Sequence, residues 1–398
     1  MNVLSKRTVQ LAALLLLTAT AHAQLEVSWA YTMEGVFPPW AEFQKDGGNS
    51  SVDQWGNLAV CGYGFDDVTM NGTGAPVLVT NNNGGGDGFV GRYRSDGTAS
   101  WGFWFGSPVL DAATAVTMDN EGNVYLSMFF EGAFDMDPGP GIANIALADG
   151  NRDLLIIKFD STGQYLHAIP LVAGFNTSAG QISRMGFDAQ NNLYIAGIFQ
   201  GQLDVDPSAA QALLTGNGNN NCAFVAKYNA QGQLLDQLAL PSVQNRSELF
   251  DLVVEADGSF FIAGLFVSQL DLDRGPGTLL ITSSGGNGFT AKYNADFSPQ
   301  WGVAIDGSQG SFAFAACPGL DGGYMLNGQF SGLLTVPLAD GSSLQLDGGF
   351  NNDYSTFMAA LNANGEYLWF TQFEVGQRGD FQNLAAKDDS TFYGGFHW

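Results

Sequence analysis

Basic residues are scarce in this chain: 14 Lys and Arg stand against 39 Asp and Glu, for a net charge of −25. Nucleic acid and anionic membranes are held by neutralising phosphate with Lys and Arg, so neither is an expected partner. Histidine is scarcer still, with three copies, His22, His167 and His397. They form no cluster with cysteine at zinc-ligand spacing. The three cysteines, Cys61, Cys222 and Cys317, lie far apart. They make no disulfide framework and are expected to be small buried hydrophobes, with one pair at most. After the first 23 residues no apolar run approaches the roughly 20 residues of a membrane-spanning helix. Neither G-x-S-x-G nor a P-loop occurs. Gly84-Gly85-Gly86 sits in an Asn/Gly-rich connection and opens no helix that would cradle a phosphate.

What is present begins with a leader. Lys6 and Arg7 precede an apolar run from Leu11 through Leu17 to Ala21, and Ala21-His22-Ala23 is an A-x-A cleavage site. The pattern predicts a signal peptide over 1–23, a mature chain beginning at Gln24, and a secreted or cell-surface protein without a lipid anchor.

The rest is a repeat. Counted from Gly62, Met128, Gly197, Gly264, Gly328 and Gly394, the pattern returns after 66, 69, 67, 64 and 66 residues. Its clearest phrases are NVYLSMFFEGAFDMDPGPG from Asn123, NLYIAGIFQGQLDVDP from Asn192 and SFFIAGLFVSQLDLDRGPG from Ser259. About thirty residues on, a second phrase follows, such as FVAKYNAQG from Phe224. Turn residues separate the apolar stretches, as in Asp119-Asn-Glu-Gly-Asn123 and Asn229-Ala-Gln-Gly232. Each copy reads as four strands in meander order, and no segment has helical periodicity. The 53 glycines and 13% aromatic content agree with an all-β chain. Tandem four-stranded antiparallel units predict a β-propeller, because the rungs of a β-solenoid are much shorter.

The copies run over 43–106, 107–172, 173–241, 242–306 and 307–373, with a partial sixth over 374–398. Residues 24–42 are expected to supply a closing strand and a connection. LEVSWAYTM from Leu25 resembles the closing strand GEYLWFTQF from Gly365, with Trp29 at the place of Trp369. The sixth copy ends after two strands, which suggests a ring truncated from a longer product.

These phrases resemble the bacterial β-propeller repeats called SBBP repeats, found in large secreted proteins of Bacteroidetes and other bacteria. The matching motifs are D-x-x-G-N-x-Y-x-x-G-x-F at Asp119 through Phe130, D-x-D-P-G-P-G at Asp135 through Gly141, and F-V-x-K-Y-N-x-x-G at Phe224 through Gly232. The resemblance covers about residues 43–398. Copies one and five depart from it: Asp66-Asp67 only loosely replaces the acidic phrase, Leu334-Thr-Val-Pro337 lacks it, and Ala360-Leu361 replaces the basic-aromatic pair. The resemblance implies a propeller and an exported, often surface-attached setting, and no defined reaction.

Three repeated features carry candidate chemistry. Asp135 and Asp137, Asp204 and Asp206, and Asp271 and Asp273 are spaced i, i+2, which puts both carboxylates of a pair on one face of a strand. They are candidate Ca²⁺ ligands, weighed against capping of the following turn or pairing with the repeated cation. A glycosidase pair must meet in one cleft, and a feature copied in three repeats is poor evidence for that. Arg92, Lys158, Lys227 and Lys292 recur before an aromatic, where each is expected to have its own carboxylate. Trp29, Trp101, Trp301 and Trp369 share a closing-strand position and are expected to pack between repeats, with sugar stacking as the functional alternative. His167 falls at that same position and reads as a packing substitute.

The combined expectation is a secreted, non-enzymatic binding or scaffold module for an unidentified protein or glycan, monomeric and without a required cofactor. The alternatives are an extracellular glycan- or peptide-processing enzyme on the same scaffold and a calcium-stabilised adhesin.

Overall fold

The computed structural model describes residues 32–34, 50–81, 84–146, 152–174, 179–349, 354–373, 380–388 and 391–397; at 32–34, 179, 320 and 380–397 it describes the backbone only. The contacts divide the chain into two compact units, 1–169 and 170–398.

Both units are built from antiparallel sheets whose four principal strands follow one another in sequence order; the last strand of the second sheet also pairs, through Val172 and Ala173, with Asp204 and Leu203 of a small outer hairpin, which makes that sheet six-stranded. The first sheet comprises Ser50–Val52, Leu58–Gly64, Asp87–Tyr93 and Ala99–Phe105, and the second comprises Ala112–Met118, Val124–Phe130, Asp153–Phe159 and Tyr165–Ala173. In the second unit lie the third sheet (Ala179–Phe187, Leu193–Phe199, Cys222–Tyr228, Leu234–Leu240) and the fourth (Ser247–Val254, Phe260–Asp271, Leu280–Tyr293, Pro299–Ile305). The fifth (Ser311–Pro318, Tyr324–Phe330, Ser355–Leu361, Tyr367–Phe373) is followed by a two-stranded hairpin, Asp380–Asp388 with Thr391–His397. Among the described residues the sole helix is a 3₁₀ turn, Leu320–Gly322, and no helix is long and apolar enough to cross a membrane. The all-β, four-stranded reading of the sequence therefore stands.

A small outer hairpin is added between the second and third strands. It pairs Phe134–Asp135 with Asn144–Ile145, Gln202–Asp204 with Leu213–Thr215, and Leu333–Pro337 with Ser343–Asp347. In the fourth sheet the two middle strands simply run on past a bulge, pairing Gln269–Asp271 with Thr282–Leu280. Of the N-terminal segment expected to close a sheet, Thr32–Glu34 is described. It pairs with Val68–Asn71 in the outer hairpin of the first sheet. Trp29 lies outside the described residues.

Middle strands such as Val124–Phe130 and Asp153–Phe159 are buried along their whole length. Sheets covered on both faces read as continuous apolar runs, not as alternating ones. Ala59, Cys61 and Val90 of the first sheet pack on Val116, Leu126 and Leu155 of the second. Ala196, Val225 and Leu238 of the third pack on Leu252, Ile262 and Phe289 of the fourth, and Phe261 and Ala263 of the fourth meet Ala316, Leu326 and Ala359 of the fifth. All three cysteines are free and buried here, so they act as small apolar residues. In the second unit the opening strands of successive sheets also pack on one another, 179–187 on 247–254 and 247–254 on 311–318, so its sheets converge along these strands.

Every opening strand from the second sheet to the fifth carries a register shift at one place: Ala113/Ala115, Ile182/Arg184, Leu249/Asp251 and Ala313/Ala315. The extra residue is Thr114, Ser183, Phe250 or Phe314. A bulge bends the strand and re-aims a side chain. It also explains the glycine from which the repeat was counted. A Cβ on Gly197, Gly264 or Gly328 would fall 2.2, 2.0 or 2.0 Å from a carbonyl oxygen of the bulged strand. Across the other edge, Gly62, Gly197, Gly264 and Gly328 pair with Phe89, Phe224, Phe289 and Phe357, whose rings cover the vacant site. In the second sheet Met128 pairs instead with Leu155, so a longer aliphatic side chain replaces glycine where a smaller one replaces phenylalanine. The final Phe of G-x-F packs onto the same ring: Phe199 on Phe224 at 5.8 Å and Phe266 on Phe289 at 5.7 Å, both edge-on.

Candidate functional site

In the first three sheets the repeated cations end on the aspartate that opens the first turn of the sheet. Asp119 Oδ1 accepts the backbone N–H groups of Glu121 (3.0 Å) and Asn123 (2.9 Å), and its Oδ2 accepts from Asn123 Nδ2 (2.9 Å) and lies 3.5 Å from Lys158 Nζ. Asp188 repeats this with Gln190, Asn192 and Lys227, the ion pair measuring 3.4 Å. Asp53 does so with Trp55, Asn57 and Arg92, at 3.8 Å. In the fourth sheet the carboxylate is Glu255, 3.1 Å from Lys292 and hydrogen-bonded by the Tyr324 hydroxyl. Lys158 and Lys227 also lie 4.8 Å above the rings of Tyr125 and Tyr194. The motif D-x-x-G-N and the later K-Y are thus two halves of one buried contact.

The aromatic of the same phrase reaches the acidic phrase. Tyr228 OH donates to Val205 O (2.8 Å) and Tyr293 OH to Leu272 O (3.0 Å), in each case the residue between the paired aspartates. The aspartates themselves hold their loop. Asp135 Oδ1 accepts N–H from Asp137 (3.0 Å) and Ala143 (2.8 Å), Asp204 Oδ1 from Asp206 and Ala212, and Asp271 Oδ1 from Asp273 and Leu279. Asp137, Asp206 and Asp273 accept N–H from Gly139, Ser208 and Gly275. A Cβ on Gly141 or Gly277 would fall 2.0 Å from Oδ2 of Asp137 or Asp273, which is why the second glycine of D-P-G-P-G is needed. Among the described residues no three His, Cys, Asp or Glu side chains converge in a metal-binding group.

Trp101 is buried, and its indole N–H donates to Ser161 O (3.2 Å) in the last turn of the following repeat. Trp301 does the same to Ala363 O (2.8 Å) and covers Gly365, where a Cβ would come within 2.5 Å of the indole. Trp369 is 41% exposed. In the third sheet Asp236 replaces the tryptophan and is bridged by Arg274, which also donates to Asp296 O (2.8 Å). The next turn then carries Phe297 in place of glycine, at φ 63°, buried and stacked on Tyr194. The aromatic has moved from the closing strand to the turn it faces. At the same position His167 is held below its ordinary pKa by burial and by the Lys158 charge.

Outside the repeat pattern, the converging opening strands present the most distinctive chemistry. Arg184 Nε donates to Asp251 Oδ1 (2.7 Å), and Asp251 Oδ2 accepts the N–H of Ala316 (2.7 Å), tying three opening strands together. Beside this pair lie the bulge residues Phe250 and Phe314, 5.5 Å apart. Phe312 is stacked on Phe314 at 5.3 Å, and Tyr354 lies 5.7 Å from Phe312. All four aromatics are half-buried. Sequence reading missed this cluster because a bulge, invisible in the repeat pattern, decides which side chains turn this way. A cleft of about 320 Å³ between the strand 299–305 and the hairpin 333–337/343–347 is lined by Val303, Ile305, Leu334, Val336 and Glu366. Glu366 there accepts from Asn362 Nδ2 (2.8 Å).

In the first unit, Asp87 is fully buried and neither carboxyl oxygen accepts a hydrogen bond of normal geometry. Burial pushes its carboxyl up to about 7, the Asn81 side chain opposing and the Asp111 charge adding to the rise. The native carboxyl keeps its proton to about 7, whereas the unfolded one loses it near 3.8, so the native state binds more protons in between. Stability in metal-free buffer is therefore expected to fall as pH rises from about 4 to about 7, by on the order of 3 kcal/mol. Asp87→Asn should flatten that slope, measured as denaturation midpoints at pH 4, 5.5 and 8. An equal slope in both proteins would show that Asp87 is not its source.

No family model matches this chain, and no curated protein matches it. Among solved structures it is similar to a protein of unknown function from Bacteroides caccae, at 10% identity and a TM-score of 0.37, over 88% of this chain and 84% of that one. It is also similar to the V. cholerae biofilm matrix protein Bap1, at 10% identity and a TM-score of 0.16, over 85% of this chain and 63% of that one.

Proposed function

We propose that the chain is a secreted, non-enzymatic binding or scaffold module of the SBBP-like β-propeller kind, acting at or outside the cell surface on a glycan or protein ligand. The observation that carries this reading is the half-buried cluster Phe250, Phe312, Phe314 and Tyr354 on the converging opening strands. Partly exposed rings beside a fixed ion pair suit a ligand that offers an apolar face and polar edges, as a sugar does. The repeated carboxylates and cations favour it too, since each is already committed to a turn, a loop or an ion pair. Arg184 and Asp251 neutralise one another, which suits orientation of a ligand better than proton transfer.

The test is a glycan array probed with the purified chain and with the double variant Phe312→Ala/Phe314→Ala, alongside chromogenic glycoside and peptide substrates. Binding that the double variant loses at least tenfold, without turnover, is the expected result. Turnover that disappears in Asp251→Asn would replace this reading with the enzymatic one.

A further inference from the structure

The junctions between successive sheets of the second unit begin alike. The outer hairpin of each sheet accepts one backbone hydrogen bond from the end of the preceding closing strand: Gly174 N–H to Gln202 O (2.9 Å), Val243 N–H to Gln269 O (3.0 Å) and Ser308 N–H to Leu333 O (2.9 Å). Beyond that point the first two junctions are closed. Val172 and Ala173 pair with Asp204 and Leu203, and Arg274 spans the next junction to Gln237 O (2.7 Å) and Asp296 O (2.8 Å). At the third, Leu334-Thr-Val-Pro337 replaces the acidic phrase and no arginine follows it. The strand Pro299–Ile305 pairs with Leu280–Tyr293, and Leu333–Pro337 with Ser343–Asp347. Each is the edge of its sheet, so the two facing edges are paired with no strand among the described residues.

Alternation along an antiparallel ladder fixes which backbone groups face the gap. Leu333 turns both of its groups away from Ser343–Asp347: its N–H donates to Ser308 Oγ (2.8 Å), and its carbonyl accepts from Ser308. Two residues on, Thr335 therefore presents its N–H and carbonyl to the same side, and Pro337 presents its carbonyl. Opposite, Ile305 O accepts from Gly307 N–H (3.0 Å) and the Ser311 hydroxyl, so Val303 likewise turns its groups out of the sheet. Between these edges lies the cleft of about 320 Å³, lined by Val303, Ile305, Leu334, Val336 and Leu338. Its charged lining residue is Glu366, which pairs with no cation among the described residues. Exposed Asp306 and Asp340 directly follow the lining residues Ile305 and Ala339.

We propose that this cleft binds an extended basic polypeptide segment, which enters as an added strand between 299–305 and 333–337. Main-chain bonds to Val303 and Thr335 hold it, its aliphatic side chains cover the apolar lining, and its Lys or Arg meets Glu366. Charge selects this occupant. A chain of net charge −25, with carboxylates at the cleft and no cation lining it, attracts a basic segment and repels an acidic one. Pro337 blunts the edge against pairing between copies of the chain. The site shares no residue with the aromatic cluster of Phe250, Phe312, Phe314 and Tyr354.

The test is fluorescence anisotropy of a labelled peptide of alternating Lys and Val, six residues long, titrated with the full-length chain. The peptide is expected to bind, and its Glu-Val counterpart to bind about tenfold more weakly. N-methylation of either alternate set of peptide amides should weaken binding about tenfold, because each set faces one of the two edges. Thr335→Pro removes an N–H at an edge position that tolerates proline, and should weaken binding about fivefold. Glu366→Lys, on an exposed side chain, should abolish the preference for the Lys-Val peptide even if the proline variant fails to fold. Phe312→Ala/Phe314→Ala should bind the peptide as the wild type does. No binding of the Lys-Val peptide overturns the proposal, as does equal binding of the Glu-Val or N-methylated peptides. Loss of the peptide in Phe312→Ala/Phe314→Ala overturns it in favour of the aromatic cluster.

Discussion

Gly264→Ala is expected to destabilise the second unit by about 3 kcal/mol, the upper end of the cost of overpacking a close-packed interior. The new methyl group would sit 2.0 Å from the Glu248 carbonyl oxygen and 3.1 Å from the Phe289 ring. The ring can yield by a few tenths of an ångström. The carbonyl cannot yield as readily, because it belongs to a bulged strand fixed on its other side by the neighbouring sheets. The second sheet, with Met128 opposite Leu155, shows how the position accepts a side chain. Gly264→Met/Phe289→Leu should therefore be more stable than Gly264→Met alone. Urea midpoints of the three variants are the measurement. A Gly264→Ala midpoint within error of wild type would mean that the glycine recurs for some reason other than close approach.

Asp188→Ala is expected to cost about 4 kcal/mol, within the range for removing one partner of a buried ion pair. It strands Lys227, whose side chain is only 13% exposed, and removes the acceptor for two turn N–H groups and the Asn192 amide. Lys227→Met should cost far less, because Asp188 keeps those three donors and the methionine retains most of the packing along the stem. The asymmetry is the prediction. Equal losses in the two variants, read by guanidinium denaturation, would mean that the ion pair and not the turn dominates.

Much of this was legible in the sequence. The turn aspartates, the basic-aromatic phrase and the tryptophans could be found by repetition alone, since each sits at one place in successive copies. Their partners were harder. Pairing of Lys158 with the acidic phrase was one reading, yet the contact is to Asp119, because the register Lys158 opposite Tyr125 brings the ammonium to the turn. The exchange of Trp for Phe297 across the third and fourth repeats is visible only when the two positions are known to face one another. The aromatic cluster and the Asp87–Asp111 junction left no repeated trace, and their residues come from separate strands.

The sequence by itself determined the elements: glycine, asparagine and aspartate at turns, apolar β-formers between them, and a period long enough for four strands. These are local preferences, and they repeat because middle strands that are buried along their length, such as Val124–Phe130 and Asp153–Phe159, must stay apolar throughout. The tertiary structure decided what the period does not encode. A one-residue bulge in the opening strands of the second to fifth sheets selects which side chains converge, and burial selects which carboxylate, Asp87, is pushed toward the neutral form. Both follow from packing between strands distant in sequence, where no local pattern reaches.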